Sequence, residues 1–312
     1  MSAEQRKIIP IIAITRKIIQ FISFFLINYA ILELIFSTEF NLLTEVLTIL
    51  PFLQTAQSAW TAGAGLLEYT FFSINRGVFP FLFLGMIGLF GLFSGRIFCG
   101  WVCPTGLMQD LFAGLAGENK KFEIETDKSL KKFKMFFLIV FFILFIPLGI
   151  YKNTDYAKFF DYSQALGGLV DNPLKYISLS EFLFVTIPHN IQALIEDLSF
   201  ESIFPNWWQG LLFGIYIIVI GISVYYPRFY CRALCPYAAA ISVFSEYSFL
   251  KLQRLPTRCP GRKDCGRCED VCPMQIRILD EEFDGFTGGG ECILCLDCME
   301  KCPHDAIKWK FG

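Results

Sequence analysis

The chain has 312 residues, is 54% hydrophobic, and carries 35 phenylalanines at a mean hydropathy of +0.49. That is too apolar for a protein whose whole surface meets water, and a formal net charge of −2 gives no footing for nucleic acid. Charge is sparse up to residue 250 and dense beyond it, which predicts a membrane domain over 1–250 and a small cytoplasmic domain over 251–312.

Arg6, Lys7, Arg16 and Lys17 form a basic lead-in to the first of four apolar stretches, at about 18–36, 78–93, 135–151 and 211–226. A helical crossing takes about 20 apolar residues, so the last three need their flanks to complete one. The first stretch is long for the core of a signal peptide and is followed by no A-x-A-like site, so it is expected to remain as an uncleaved anchor. With the N-terminus inside, all but four of the 27 basic residues (Arg76, Lys152, Lys158 and Lys175) fall on the inner side, as the positive-inside rule requires. Both termini and all 12 cysteines are then predicted on the cytoplasmic side, where disulfides are disfavoured.

Glu33 lies near the outer end of the first stretch. A carboxylate inside a membrane is costly and suggests a function; the alternative is a side chain that reaches the headgroups and is solvated. The segments 37–77 and 152–206 are expected outside. The first should lie along the membrane surface, and Phe182–Ile187 and Ile191–Leu198 of the second should be interfacial. Trp207 and Trp208 fit an outer aromatic belt. The spacings Gly91-x3-Gly95 and Gly210-x3-Gly214 suit close helix approach. The charged segment 118–134 reads as a solvated connector or a docking face for a partner.

After the second stretch comes Arg96-Ile-Phe-Cys99-Gly-Trp-Val-Cys103-Pro104, and after the fourth comes Arg228-Phe-Tyr-Cys231-Arg-Ala-Leu-Cys235-Pro236. The shared pattern predicts two parallel two-helix repeats, with both C-x3-C-P motifs on one face. Each copy supplies two thiolates. Together Cys99, Cys103, Cys231 and Cys235 would complete a third iron–sulfur site, [4Fe–4S] or [2Fe–2S]. Inert buried thiols or a zinc or copper site are the alternatives.

The last region holds Cys292, Cys295, Cys298 and Cys302-Pro303 in the bacterial ferredoxin run C-x2-C-x2-C-x3-C-P. Cys259, Cys265, Cys268 and Cys272-Pro273 repeat it with a five-residue first gap. In two-cluster ferredoxins the fourth cysteine of each run serves the other cluster. The expected cages are therefore Cys259, Cys265, Cys268 and Cys302 for one [4Fe–4S] cluster, and Cys272, Cys292, Cys295 and Cys298 for the other. Zinc would use paired C-x2-C knuckles and leave the remaining cysteines without a role. The two histidines, His189 and His304, read as a loop residue and as a surface residue beside the last Cys-Pro. No histidine falls in a predicted span, there is no C-x-x-C-H, and no G-x-G-x-x-G opens a helix, so haem and dinucleotide sites are not expected.

The motifs FCGWVCPTG and YCRALCPYA, followed by ferredoxin runs ending in CPMQI and CPHDAI, resemble the NapH-type membrane polyferredoxins, whose core NosR-like and CcoG-like proteins share. The resemblance covers the four stretches and the C-terminal region. It implies a mainly α, multi-pass protein of a prokaryotic cytoplasmic membrane: four transmembrane helices with a C-terminal α+β two-cluster ferredoxin domain. It implies quinol oxidation at the membrane and electron delivery to a partner reductase or redox protein, with the twelve cysteines as ligands. Glu33 is then a candidate proton acceptor. The chain shows neither the flavin-binding domain of NosR-like proteins nor the C-terminal extension of CcoG-like ones, which points to a plain NapH-like role. Two other functions stay open: a reductase or maturation factor for the metal centre of another enzyme, and a redox sensor.

Overall fold

The structure is a computed structural model and describes residues 11–27, 65–117, 120–171, 173–174, 176–188, 190–191 and 207–312. Helix α1 (Ile11–Ile27) begins ahead of the predicted first stretch. Glu33 and His189 lie outside the described residues, as do the side chains of Trp207 and Trp208.

Helix α2 (Gly65–Asn75) departs from the expected surface segment. Leu66, Leu67 and Phe71 are fully buried, and the Phe71 ring sits 4.9 Å from that of Phe145. Inside the fold the Thr70 hydroxyl satisfies itself by donating to the Leu66 carbonyl one turn back (2.9 Å).

Helices α3 (Phe81–Ser94), α4 (Ile97–Trp101) and α5 (Pro104–Leu115) follow in close succession. Gly95 ends α3 at φ 58°, a left-handed angle that glycine adopts without penalty. Helix α6 (Ile124–Thr154) has 31 residues and spans about 46 Å at 1.5 Å per residue. It is the one helix among the described residues that is long and apolar enough to cross a membrane.

Helix α6 also absorbs most of the segment 118–134 that was expected to be a solvated connector or a docking face for a partner. Asp127 and Lys134 are buried there because each has an ionic partner brought from elsewhere in the chain. Helix α7 (Tyr156–Leu166) is capped by Asp155, whose carboxylate accepts from the amides of Ala157 and Lys158. Over Phe182–Ile187, the segment expected to be interfacial, a π turn (Phe182–Thr186) follows α8 (Leu179–Glu181). Phe182 is buried and stacks on Tyr216 at 4.5 Å.

Helix α9 (Trp207–Tyr225) leads to α10 (Phe229–Ala233) and α11 (Pro236–Ser245). Like α3, α9 and α11 are apolar but shorter than α6.

The C-terminal region is a small α+β unit. Strands β1 (Leu250–Arg254) and β2 (Ile307–Phe311) pair antiparallel, from Leu250 opposite Phe311 to Arg254 opposite Ile307. Helices α12 (Arg267–Asp270) and α13 (Asp297–Glu300) lie between them in sequence. A unit this small is marginal on its own apolar burial. Its core of Leu252, Met274, Ile276, Phe286 and Ile293 continues into the helical region through Ile12, Ile97, Cys99, Trp101 and Tyr237.

Candidate metal centres

Both C-x3-C-P motifs fold alike. A one-turn helix (α4 or α10) carries the first cysteine, and the second cysteine is the N-cap of the next helix. Pro104 and Pro236 follow at the first helical position, where a missing N–H costs nothing. The same backbone bond closes each turn: the Cys103 amide donates to Phe98 O at 2.8 Å, and the Cys235 amide to Tyr230 O at 2.9 Å.

The four cysteines Cys99, Cys103, Cys231 and Cys235 line one cavity of about 60 Å³, together with apolar and aromatic side chains. That is several times the space one water needs. Gln109 reaches across the repeat, its Nε2 donating to Cys231 Sγ at 3.1 Å while its Oε1 accepts from the Tyr230 amide. Arg228 also crosses over: Nη1 donates to Cys99 O, and Nε and Nη2 form a fork on the Asp110 carboxylate, all at 2.6 Å. Gly106 makes room for this, since a Cβ there would lie 2.5 Å from Arg228 Nη1.

In the ferredoxin region a second cavity is lined by Cys272, Cys292, Cys295 and Cys298, and a third by Cys259, Cys265, Cys268 and Cys302. The last cysteine of each run thus sits with three from the other run. The long first gap closes on itself, the Cys265 amide donating to Gly261 O, and leaves Arg262, Lys263 and Asp264 exposed. Backbone amides face the two crossing thiols, with Ile276 N donating to Cys272 Sγ and Ala306 N to Cys302 Sγ, both at 3.4 Å. Such donors favour a charged sulfur. His304 lies at the edge of the third cavity and is exposed.

The donor sets fit iron–sulfur clusters. Each cavity offers four thiols on walls that are mainly apolar. Burial pushes the Cys103 and Cys292 thiols up to about 12 and Cys268 up to about 11. Cluster binding must therefore displace protons from these sites.

Buried ion pairs hold the ferredoxin unit against the twin motif. Glu291 accepts from Arg96 Nη1 at 2.5 Å and from Lys134 Nζ at 2.6 Å, and all three side chains are buried. Burial opposes ionisation of Glu291, yet the two cations hold its carboxyl below the usual carboxylate range. Arg16 of α1 pairs with Asp297 at 3.0 Å and donates to Cys295 O. Arg232 pairs with Asp127 and also reaches Gln275. Trp101 Nε1 donates to Leu294 O at 2.8 Å. Sequence reasoning missed Asp110, Lys134 and Glu291. The repeated arginines Arg96 and Arg228 were visible as part of the motif, but their partners were not.

The family profile described as "4Fe-4S binding domain" matches twice, over residues 76–123 and 208–254. The profile described as "4Fe-4S dicluster domain" matches 258–307. An uncharacterized protein of Methanocaldococcus jannaschii is 27% identical over 216 residues, which cover 69% of this chain and 65% of that protein. YccM of Escherichia coli K12, provisionally described as an electron transport protein, is 25% identical over 263 residues, covering 78% of this chain and 60% of YccM. The chain thus spans less than two thirds of these two relatives. A regulatory protein NosR sequence from Pseudomonas aeruginosa is 34% identical over 79 residues, 23% of this chain and 73% of that sequence. No solved structure is matched. The twice-matched profile, the dicluster profile and these relatives lead to one conclusion: the chain belongs to the polyferredoxin-type membrane proteins related to NapH, NosR and YccM.

Proposed function

We propose that this protein passes electrons between the membrane quinone pool and a partner redox protein or reductase, through two [4Fe–4S] clusters and a third iron–sulfur centre. The observation that carries the reading is the grouping of all twelve cysteines into three cavities of four. Bound clusters would supply one-electron carriers whose potentials depend on charge, hydrogen bonds and exposure. Cys259, Cys265, Cys268 and Cys302 would hold one, Cys272, Cys292, Cys295 and Cys298 another, and Cys99, Cys103, Cys231 and Cys235 the third. The chain's own contribution is to fix those thiols. Arg228 and Gln109 tie the two copies of the repeat together, and Phe98 and Tyr237 line the twin-motif cavity.

The proposed topology has four crossings in two parallel repeats, with both termini in the cytoplasm. The two matches of one family profile and the identical turn bonds of the two motifs support the repeat. Quinol gives up two protons as it becomes quinone, and the Glu33 carboxylate is the proposed first acceptor.

The test is iron and acid-labile sulfide per chain in anaerobically purified protein, beside a Cys99→Ser/Cys231→Ser variant. The expected wild-type content exceeds the roughly eight irons of two [4Fe–4S] clusters, and the variant falls back to that level. Equal contents would remove the third centre. A Glu33→Gln protein that oxidises quinol at the wild-type rate would remove the proton role.

A further inference from the structure

The two copies of the repeat superpose in number, each position of the second being that of the first plus 132: Arg96 with Arg228, Cys99 with Cys231, Cys103 with Cys235. Arg228, from the second copy, is neutralised by Asp110 on α5 of the first. Symmetry asks that Arg96 be neutralised by the residue equivalent to Asp110 on α11. That residue is Ser242, which carries no charge and whose hydroxyl turns back to donate to Ala239 O.

Arg96 is nonetheless fully buried, and an unpaired guanidinium there would be prohibitive. Its carboxylate comes instead from Glu291, 195 residues away in the ferredoxin unit. The loop bearing Glu291 enters at the deficient position. Gly290, at φ 78°, lies so close to the Ser242 carbonyl that any Cβ would overlap it. Lys134, next to the Met135 whose sulfur faces the Ser242 hydroxyl, adds a second cation to the same carboxylate.

We propose that Glu291 is a positioning residue: it supplies from the ferredoxin unit the acid missing from the second copy of the repeat, so that neutralising Arg96 and seating the Cys292 loop on the twin motif are a single event. The asymmetry has a direct use. Had Ser242 been an aspartate, Arg96 would be neutralised within the helical core and would give the ferredoxin unit no reason to dock, leaving Arg16–Asp297 and Lys134–Glu291 as the remaining ionic ties. The inference stands on the repeat and the ion-pair geometry alone, and its assay reads docking rather than electron flow. Its failure is therefore distinguishable from failure of the quinone reading.

The experiment is hydrogen exchange on the full-length protein in detergent, comparing wild type, Glu291→Gln, and Glu291→Gln/Ser242→Asp. In Glu291→Gln the amides of residues 288–296 should exchange at least about tenfold faster, because a buried pair has lost one partner. The double variant returns a carboxylate to Arg96 from within the repeat. It should fold and regain thermal stability while the 288–296 amides stay exposed. Unchanged exchange in Glu291→Gln would overturn the proposal. So would a double variant whose loop regains full protection, since a mere counter-charge would then suffice, or a double variant that does not fold. Should Glu291→Gln alone not fold, the double variant decides by the same criteria.

Discussion

Replacing Arg228 by methionine tests whether the repeat is held by charge or by shape. Arg228 makes three 2.6 Å bonds, two to Asp110 and one to Cys99 O. Among the described residues, methionine leaves Asp110 with one hydrogen-bond donor, Gln20 Nε2 at 3.3 Å. Removing one partner of a buried pair costs about 3–5 kcal/mol. The Asp110 side chain keeps 19% of its exposure, so water softens the loss, and we take the lower end, about 3 kcal/mol, a factor on the order of a hundred in the folded ratio. Arg228→Lys retains the charge but not the fork, and loses two charge-assisted bonds worth about 1.5–3 kcal/mol each before relaxation. The left-handed φ of 57° at this position is non-glycine in all three proteins and cancels from the comparison. Arg228→Met/Asp110→Leu removes both charges and should recover most of the loss. Unfolding in detergent, followed by the fluorescence of tryptophans such as Trp101, reads all four proteins. A single methionine variant within about 1 kcal/mol of wild type, or a double variant no better than the single, would refute the reasoning.

Three further outcomes are expected. Burial opposes ionisation of Asp110 but Arg228 outweighs it, so its folded pKa is lowered; the stabilisation is full above the unfolded value of about 4 and is lost as pH falls through the lower folded value. Asp110→Asn should therefore remove part of the acid-induced destabilisation below about pH 4 seen in denaturation curves, and an unchanged acid limb would count against the pairing. Cys302→Ser should alter the same electron paramagnetic resonance signal as Cys259→Ser, and Cys272→Ser the same one as Cys298→Ser; a pattern following sequence runs instead would sink the crossed cages. Gly106→Ala gains up to about 1 kcal/mol of helix propensity, yet its Cβ would meet Arg228 Nη1 at 2.5 Å and Cys99 O at 2.8 Å. Overpacking of about 1–3 kcal/mol should win, and a melting temperature above wild type would show that it does not.

What was legible in the sequence was whatever local spacing encodes. The cysteine runs, the Cys-Pro caps and the duplicated Arg-x2-Cys announced themselves because each rests on residues a few positions apart. The burial of Lys134 and Asp127 was not legible, because charge density is a local property and burial is not. What hides them is Glu291, 157 residues from Lys134, and Arg232, 105 residues from Asp127. The same limit applies to Phe71 and Phe182, whose partners Phe145 and Tyr216 lie far along the chain. Helix lengths carried less than the apolar runs suggested, because α3 stops at Gly95 and α9 at Tyr225, where the motif turns begin.

Helix α1 has an implication for biosynthesis. Its first amides, Ile12 and Ala13, donate to the Glu300 carboxylate, with a sequence separation of 288 between Ile12 and Glu300, and its Arg16 and Gln20 close on Asp297 and Gly100. Glu300 is thus translated 288 residues after Ile12 of the helix it meets. Chains are made at roughly 5–20 residues per second, so α1 waits for tens of seconds without this partner. The helix completes its contacts only when the cysteine-rich region has been translated and folded against it, and a chain cut short before residue 300 carries that omission far upstream.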